Sequence, residues 1–175
     1  MPSSPQVRSI RIWLSVFIAG LVLSGITAFP LEHETGWLIR ILAAHPLLPK
    51  ATILWIDRVH QALYDESIRA PFLAYGTDWL AFAHLVLAVA FFGPLIDPVR
   101  NKWVLQFGVI ACAGVFALAL IAGPLRGIPL PWRLIDCSFG LFGAVPLLIC
   151  LRRVREMETH ANLVRHPSPP ASSVN

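Results

Sequence analysis

Among the polar residues that interrupt the apolar runs of this sequence, four have side chains that could do chemistry together. His84 and Asp136 lie within two different apolar runs, and Ser24 and Thr27 lie within a third. An imidazole exchanges protons near neutral pH, and a carboxylate beside it can orient the ring. If the fold brings these residues together, they predict a pocket that handles protons or binds a small molecule.

Two arginines complete the candidate pocket. Arg126 and Arg133 stand at the junction of the last two apolar runs, where a guanidinium could hold an anionic or quinone-like head group. In the competing interpretation Arg133 pairs with Asp136, one helical turn away. The same residues then form a structural hydrogen-bond cluster with a neutral His84.

A metal or haem site is a third interpretation, in which His33 and Glu34 join His84 and Asp136. Only one histidine lies within an apolar run, so a haem held by two histidines at one depth has no second ligand. The H-E-x-x-H motif of zinc proteases does not occur. We therefore predict no metal or other cofactor, with a quinone-like or metal ligand as the alternative.

The elements that must position these residues are membrane-spanning helices. Hydrophobic residues make up 56% of the 175 residues and charged residues 14%, against roughly 25% charged residues in an ordinary soluble domain. An apolar run of about 20 residues crosses the hydrocarbon core as a helix. We predict an all-α fold, a four-transmembrane-helix bundle with spans at residues 12–29, 77–96, 103–122 and 130–151.

The first apolar run could also be a cleaved signal peptide. Within it, Gly20, Ser24 and Thr27 recur at i, i+4 and i+7, which places small, weakly polar side chains on one helix face. Such a stripe is typical of a helix that packs closely on a neighbour in the membrane. We therefore predict that the first span is retained.

The connections complete the predicted organisation. Residues 30–76 are too long for a turn and carry two patterns of helical period that are too polar to span, so we predict two short amphipathic helices in this first outer loop. Residues 159–175 are rich in proline and serine, which predicts a disordered cytoplasmic tail. Residues 1–158 form a single membrane domain.

Basic residues cluster at the ends of the apolar runs. This distribution sets membrane topology and does not form a nucleic-acid-binding stripe, so we predict no nucleic-acid partner despite the net charge of +4. It favours both termini in the cytoplasm. The basic residues on that side are Arg8, Arg11, Arg100, Lys102, Arg152, Arg153, Arg155 and Arg165.

Depth places the polar residues in one layer. At a rise of 1.5 Å per residue, His84 lies roughly 10 Å and Asp136 roughly 8 Å from the outer end of its span. Ser24 and Thr27 lie within roughly 8 Å of the same surface. We therefore predict that His84 and Asp136 are near neighbours in the outer half of the bundle.

Four stretches resemble a family of small bacterial four-helix integral membrane proteins whose function is uncharacterised. They are Tyr75–His84 (YGTDWLAFAH), Gly93–Trp103 (GPLIDPVRNKW), Gly123–Pro129 (GPLRGIP) and Leu134–Gly140 (LIDCSFG). The resemblance implies a bacterial plasma membrane. It supplies no activity, cofactor or catalytic residue.

Together these observations favour a non-enzymatic accessory or interaction protein that crosses the bacterial plasma membrane several times. Its expected partners are the lipid bilayer and either another membrane protein or a second copy of this chain. The alternative is a membrane enzyme, or a protein that handles small molecules or protons in the pocket around His84 and Asp136.

The topology can be tested with reporter fusions. A reporter enzyme that works only outside the cytoplasm, fused at Gln61, should be active, because residues 30–76 are expected on the outer side. The same reporter fused after Arg165 should be inactive. A cytoplasm-only reporter that is active at Gln61 would show that the orientation is inverted.

Overall fold

Helices are the only regular elements in the computed structural model, which describes residues 5–44 and 48–165. Four helical stretches are long and apolar enough to cross a membrane: Pro5–Ala28, Pro71–Ile96, Lys102–Leu125 and Leu130–Leu163. The predicted all-α class with four candidate membrane spans is therefore confirmed.

The chain forms eight α-helices, with a 3₁₀ turn and a π-helical segment between them, over the described ranges. In order these are α1 (Pro5–Ala28), α2 (Leu31–Ala44), α3 (Lys50–Arg69), the 3₁₀ turn (Pro71–Leu73), α4 (Ala74–Ala90), α5 (Phe92–Ile96), α6 (Lys102–Ala117), the π segment (Leu118–Ala122), α7 (Gly123–Leu125) and α8 (Leu130–Arg165). Successive spans run in opposite directions. We name the end that holds α2 and α3 the connector end, and the end that holds Pro5 and Arg165 the termini end.

The first two spans begin earlier than predicted. α1 is already helical at Pro5, the first described residue, instead of beginning at residue 12, and this extension brings Ile10 into the core. The second span starts at Pro71 instead of residue 77. Thr77 does not mark the start, since its hydroxyl donates to the Ala74 carbonyl 2.7 Å away within the helix.

The last span extends beyond its apolar run. α8 continues to Arg165, so residues 159–165 are helical and not disordered as predicted. A salt bridge from Lys102 to Glu158 ties this extension to the start of α6, and the Thr159 hydroxyl donates to the Arg155 carbonyl at 3.0 Å. The rest of the predicted tail, residues 166–175, lies outside the described residues.

The four spans pack in the order α4, α1, α8, α6, and each helix contacts the next. The row closes at the termini end, where α5 contacts both α1 and α6. There Phe91 fits over Gly108, since a Cβ on this glycine would lie 2.7 Å from the Phe91 ring. Phe17 meets the same ring edge to face, with centroids 4.7 Å apart.

Most of the buried side chains gather in the half of the bundle near the termini end. They recur at helical spacing because each helix presents one face to its neighbours. The main members of this core are Ile10, Leu14, Ile18, Phe91, Leu105, Leu147, Cys150 and Val154.

Two helices, α2 and α3, fill the connection between the first two spans. Thr35 on α2 and His60 on α3 hold them together, with 3.1 Å between the hydroxyl oxygen and Nδ1. Gly36 permits this approach, because a Cβ there would lie 3.1 Å from the His60 ring.

Two glycine substitutions test the close packing of α6 on α8. A Cβ at Gly140 would lie 2.8 Å from the Cys112 carbonyl oxygen, which is backbone and cannot move aside alone. We expect Gly140→Ala to lower the free energy of unfolding by about 1–3 kcal/mol.

Gly114→Ala is the matched control, because nothing lies within 4 Å of its Cβ position. It should leave stability unchanged or raise it by roughly 1 kcal/mol at most. Thermal unfolding in mild detergent measures both. Equal stability of the two variants would contradict the α6/α8 packing.

Candidate functional site

α1 and α8 run antiparallel in a register that can be read from two contacts. The Cys150 thiol donates to the Ile10 carbonyl with 3.6 Å between Sγ and oxygen. One heptad further along each helix, a Cβ on Gly143 would lie 3.4 Å from the Phe17 ring. The two helices therefore keep the same antiparallel register over these two turns.

The same register places three of the candidate residues at one level. Continued by a further seven residues, this register would bring Ser24 on α1 level with Asp136 on α8. On the other side of α1, a Cβ on Gly25 would lie 3.0 Å from the Ala81 carbonyl oxygen. This contact brings the part of α4 that holds Ala81 and His84 to the level of Ser24.

A shared level does not make His84 and Asp136 direct partners. α1 packs between α4 and α8, and within the described ranges no hydrogen bond joins these two side chains. His84 Nδ1 instead donates to the Leu80 carbonyl of its own helix, 2.8 Å away. In a neutral ring this bond leaves Nε2 as the acceptor.

The two hydroxyl residues of the set lie on the outside of α1. Ser24 and Thr27 are both exposed, and Thr27 donates weakly to the Ser24 carbonyl at 3.4 Å. Neither side chain is covered by another element of the described chain. Whether the six predicted residues form a binding pocket stays a prediction.

Arg133 does not pair with Asp136. The three salt bridges of the described chain involve other residues, so the expected ion pair is not formed. The Arg133 side chain instead reaches α7. Its stem lies against Gly123, where a Cβ would come within 2.5 Å of Cδ.

The guanidinium of Arg133 contains one buried donor, Nε, without a hydrogen-bond partner in the described chain. Arg126 is exposed in the turn before α8. The two arginines therefore bracket the start of α8, one on the surface and one wedged against α7.

A π-helical segment at Leu118–Ala122 is the feature that the sequence analysis missed. It contacts α8, and such wide turns are frequent at functional sites. Pro124 explains it, because proline has no N–H for the Leu120 carbonyl and its ring pushes that carbonyl aside. The signal was therefore a proline inside the last turn of the third span.

A second site lies at the connector end, in a cavity of about 510 Å³. It is bounded by the end of α1, the start of α2, the end of α3 and the start of α4. Its lining comprises Phe29, Pro30, Leu31, Glu32, His33, Leu63, Glu66, Ser67, Leu73, Ala74 and Thr77.

The metal interpretation finds no cluster in the described part of the chain. No three His, Cys, Asp or Glu side chains there are grouped so that they could hold an ion. His33 lines the cavity at the connector end, whereas His84 lies within the second span and bonds to its own helix. The two histidines of the expected ligand set are thus on different elements.

Crosslinking tests the level and order of the helices. In a background without native cysteines, a short bifunctional thiol reagent should join Ser24→Cys to Asp136→Cys, because α1 and α8 are adjacent and in register. The pair His84→Cys and Asp136→Cys should react less, since α1 lies between them. Equal or better reaction of the second pair would contradict this helix order.

Comparison with protein-family models, with curated proteins and with solved structures found no match. The resemblance to small bacterial membrane proteins therefore stays an expectation. The function of this chain has to be inferred from the geometry of its own residues.

Proposed function

We propose that this chain is a non-enzymatic accessory protein of the bacterial plasma membrane, which binds a helix of another membrane protein through α1. The observation that carries the proposal is the outward stripe of Gly20, Ser24 and Thr27. Among the described residues, no atom of another helix lies within 4 Å of a Cβ placed on Gly20, and the two hydroxyl residues are exposed.

α1 carries a second small residue whose environment provides the contrast. Gly25 faces α4, and its Cβ position lies 3.0 Å from both the Ala81 carbonyl oxygen and the Leu85 side chain. Here a small residue serves close packing inside the bundle. The stripe of Gly20, Ser24 and Thr27 is also built of small residues, but it is exposed in the described part of the chain.

The exposed hydroxyls strengthen the case for a partner helix. Lipid tails offer no hydrogen bond, and Ser and Thr side chains in membranes commonly bond across a helix interface. Ser24 sits beside the open Gly20 surface, where a second backbone can approach closely. A partner helix would satisfy the Ser24 hydroxyl and cover the groove at Gly20 together.

The proposed orientation keeps both termini in the cytoplasm. The termini end carries Arg8, Arg11 and Arg100 close to the span ends, which favours the cytoplasmic side. α2 and α3 then lie as amphipathic helices on the outer surface. Their buried residues, among them Thr35, Gly36, Leu42, Thr52 and Ile56, support one inward face on each helix.

A second candidate function is proton or small-molecule handling in the outer half of the bundle. Asp136 and His84 lie within apolar spans at one level, and ionisable residues at such depth often act in relays or binding. His84 Nε2 would accept the proton and Asp136 would orient the ligand. A stoichiometric quinone or other small molecule that co-purifies and is lost in His84→Ala would favour this candidate.

The accessory function is tested with Gly20→Leu. The new side chain fills the open surface without touching the bundle, so the purified protein should keep its unfolding temperature. Association with the partner should fall roughly tenfold, since a close helix contact worth about 1–2 kcal/mol is lost. Gly114→Leu adds the same side chain at an equally open site on α6 and should retain the partner.

Affinity purification from crosslinked native membranes, quantified by mass spectrometry, identifies the partner and measures how much of it is bound. Two differently tagged copies of this chain detect self-association. A membrane protein or second copy lost with Gly20→Leu and kept with Gly114→Leu supports the proposal. Identical associations for the wild type and both variants would refute it.

A further inference from the structure

We propose that the groove between the start of α1 and the extended part of α8 binds the head group of an anionic phospholipid. This groove, the α1/α8 groove, has a volume of about 760 Å³. Its lining residues are Gln6, Leu148, Leu151, Arg152, Arg155, Glu156, Thr159, His160 and Leu163.

The order of side chains along the groove follows the order of groups in a phospholipid. Leu148 and Leu151 close the apolar part of α8, and Arg152 follows directly at the end of the hydrocarbon-length run. Arg155 lies one turn further out, on the same helix face. Acyl chains fit beside the leucines, and the phosphate comes level with the two guanidinium groups.

The charges of the groove suit an anion. Arg155 is exposed and takes part in no salt bridge within the described ranges. Arg152 is 83% exposed and makes only an i,i+4 contact, with 3.1 Å between Nε and Glu156 Oε1. An exposed pair of this kind contributes little stability, so a phosphate can replace the carboxylate at small cost.

Gln6 makes the groove more than a charged helix surface. It reaches the site from α1 and adds an amide donor on the opposite wall. Thr159 and His160 supply further polar groups above the arginines, where a glycerol or other hydroxylated head group would lie. The site is thus built from two helices at the boundary where lipid phosphates reside.

The test uses the full chain in a neutral detergent and dioleoyl lipids of two head groups. Native mass spectrometry with added phosphatidylglycerol or phosphatidylcholine should show about tenfold preference for the anionic lipid. The double variant Arg152→Gln with Arg155→Gln should lose this preference. Both side chains are exposed, so the fold should be retained.

Arg8→Gln with Arg11→Gln is the matched control. It removes two exposed charges from the same end but outside the groove, and the preference should persist. Glu156→Gln should increase binding of phosphatidylglycerol, because it removes the carboxylate that competes for Arg152.

Two results would overturn the proposal. One is an equal loss of preference in both double variants, which would indicate diffuse attraction to the basic end. The other is displacement of the lipid by excess inorganic phosphate, which would indicate a free-phosphate site without a role for the acyl chains.

Discussion

Close approach between helices is the constraint on which this structure depends. In lipid the hydrophobic effect does little to press apolar helices together, so their association rests on van der Waals packing. Glycines allow that packing at the principal crossings. Gly25 meets the backbone of α4, Gly140 meets the Cys112 carbonyl, and Gly108 receives the ring of Phe91.

These crossings divide the bundle into two unlike halves. Near the termini end Phe91 and Leu147 fill the space above Gly108, and the four spans close around them. Toward the connector end α6 widens into its π segment, and Arg133 lies on Gly123 where a larger residue would exclude it. The half near the termini end holds most of the buried core, and the half near the connector end holds the π segment and the buried Nε of Arg133, which has no partner within the described ranges.

Several polar side chains within the candidate spans bond to their own helix. The hydroxyl of Ser138 donates to the Ile135 carbonyl at 2.6 Å, and His84 bonds to Leu80 in the same way. Such bonds to the carbonyl three or four residues earlier need no second helix. Polar residues at one level therefore need not face each other, although similar depth by itself predicts that they do.

The apolar runs by themselves determined four helices long and apolar enough to cross a membrane, and the position of each polar residue along its helix. Bilayer thickness dictates run length, and a backbone without water must satisfy its hydrogen bonds as a helix. Only the tertiary structure decided that α1 stands between α4 and α8, that Arg133 turns from Asp136, and that Gly20 faces outward. These outcomes depend on which small residues meet at each helix crossing. The hydropathy pattern does not decide this, because many pairings of apolar helix faces satisfy the same pattern.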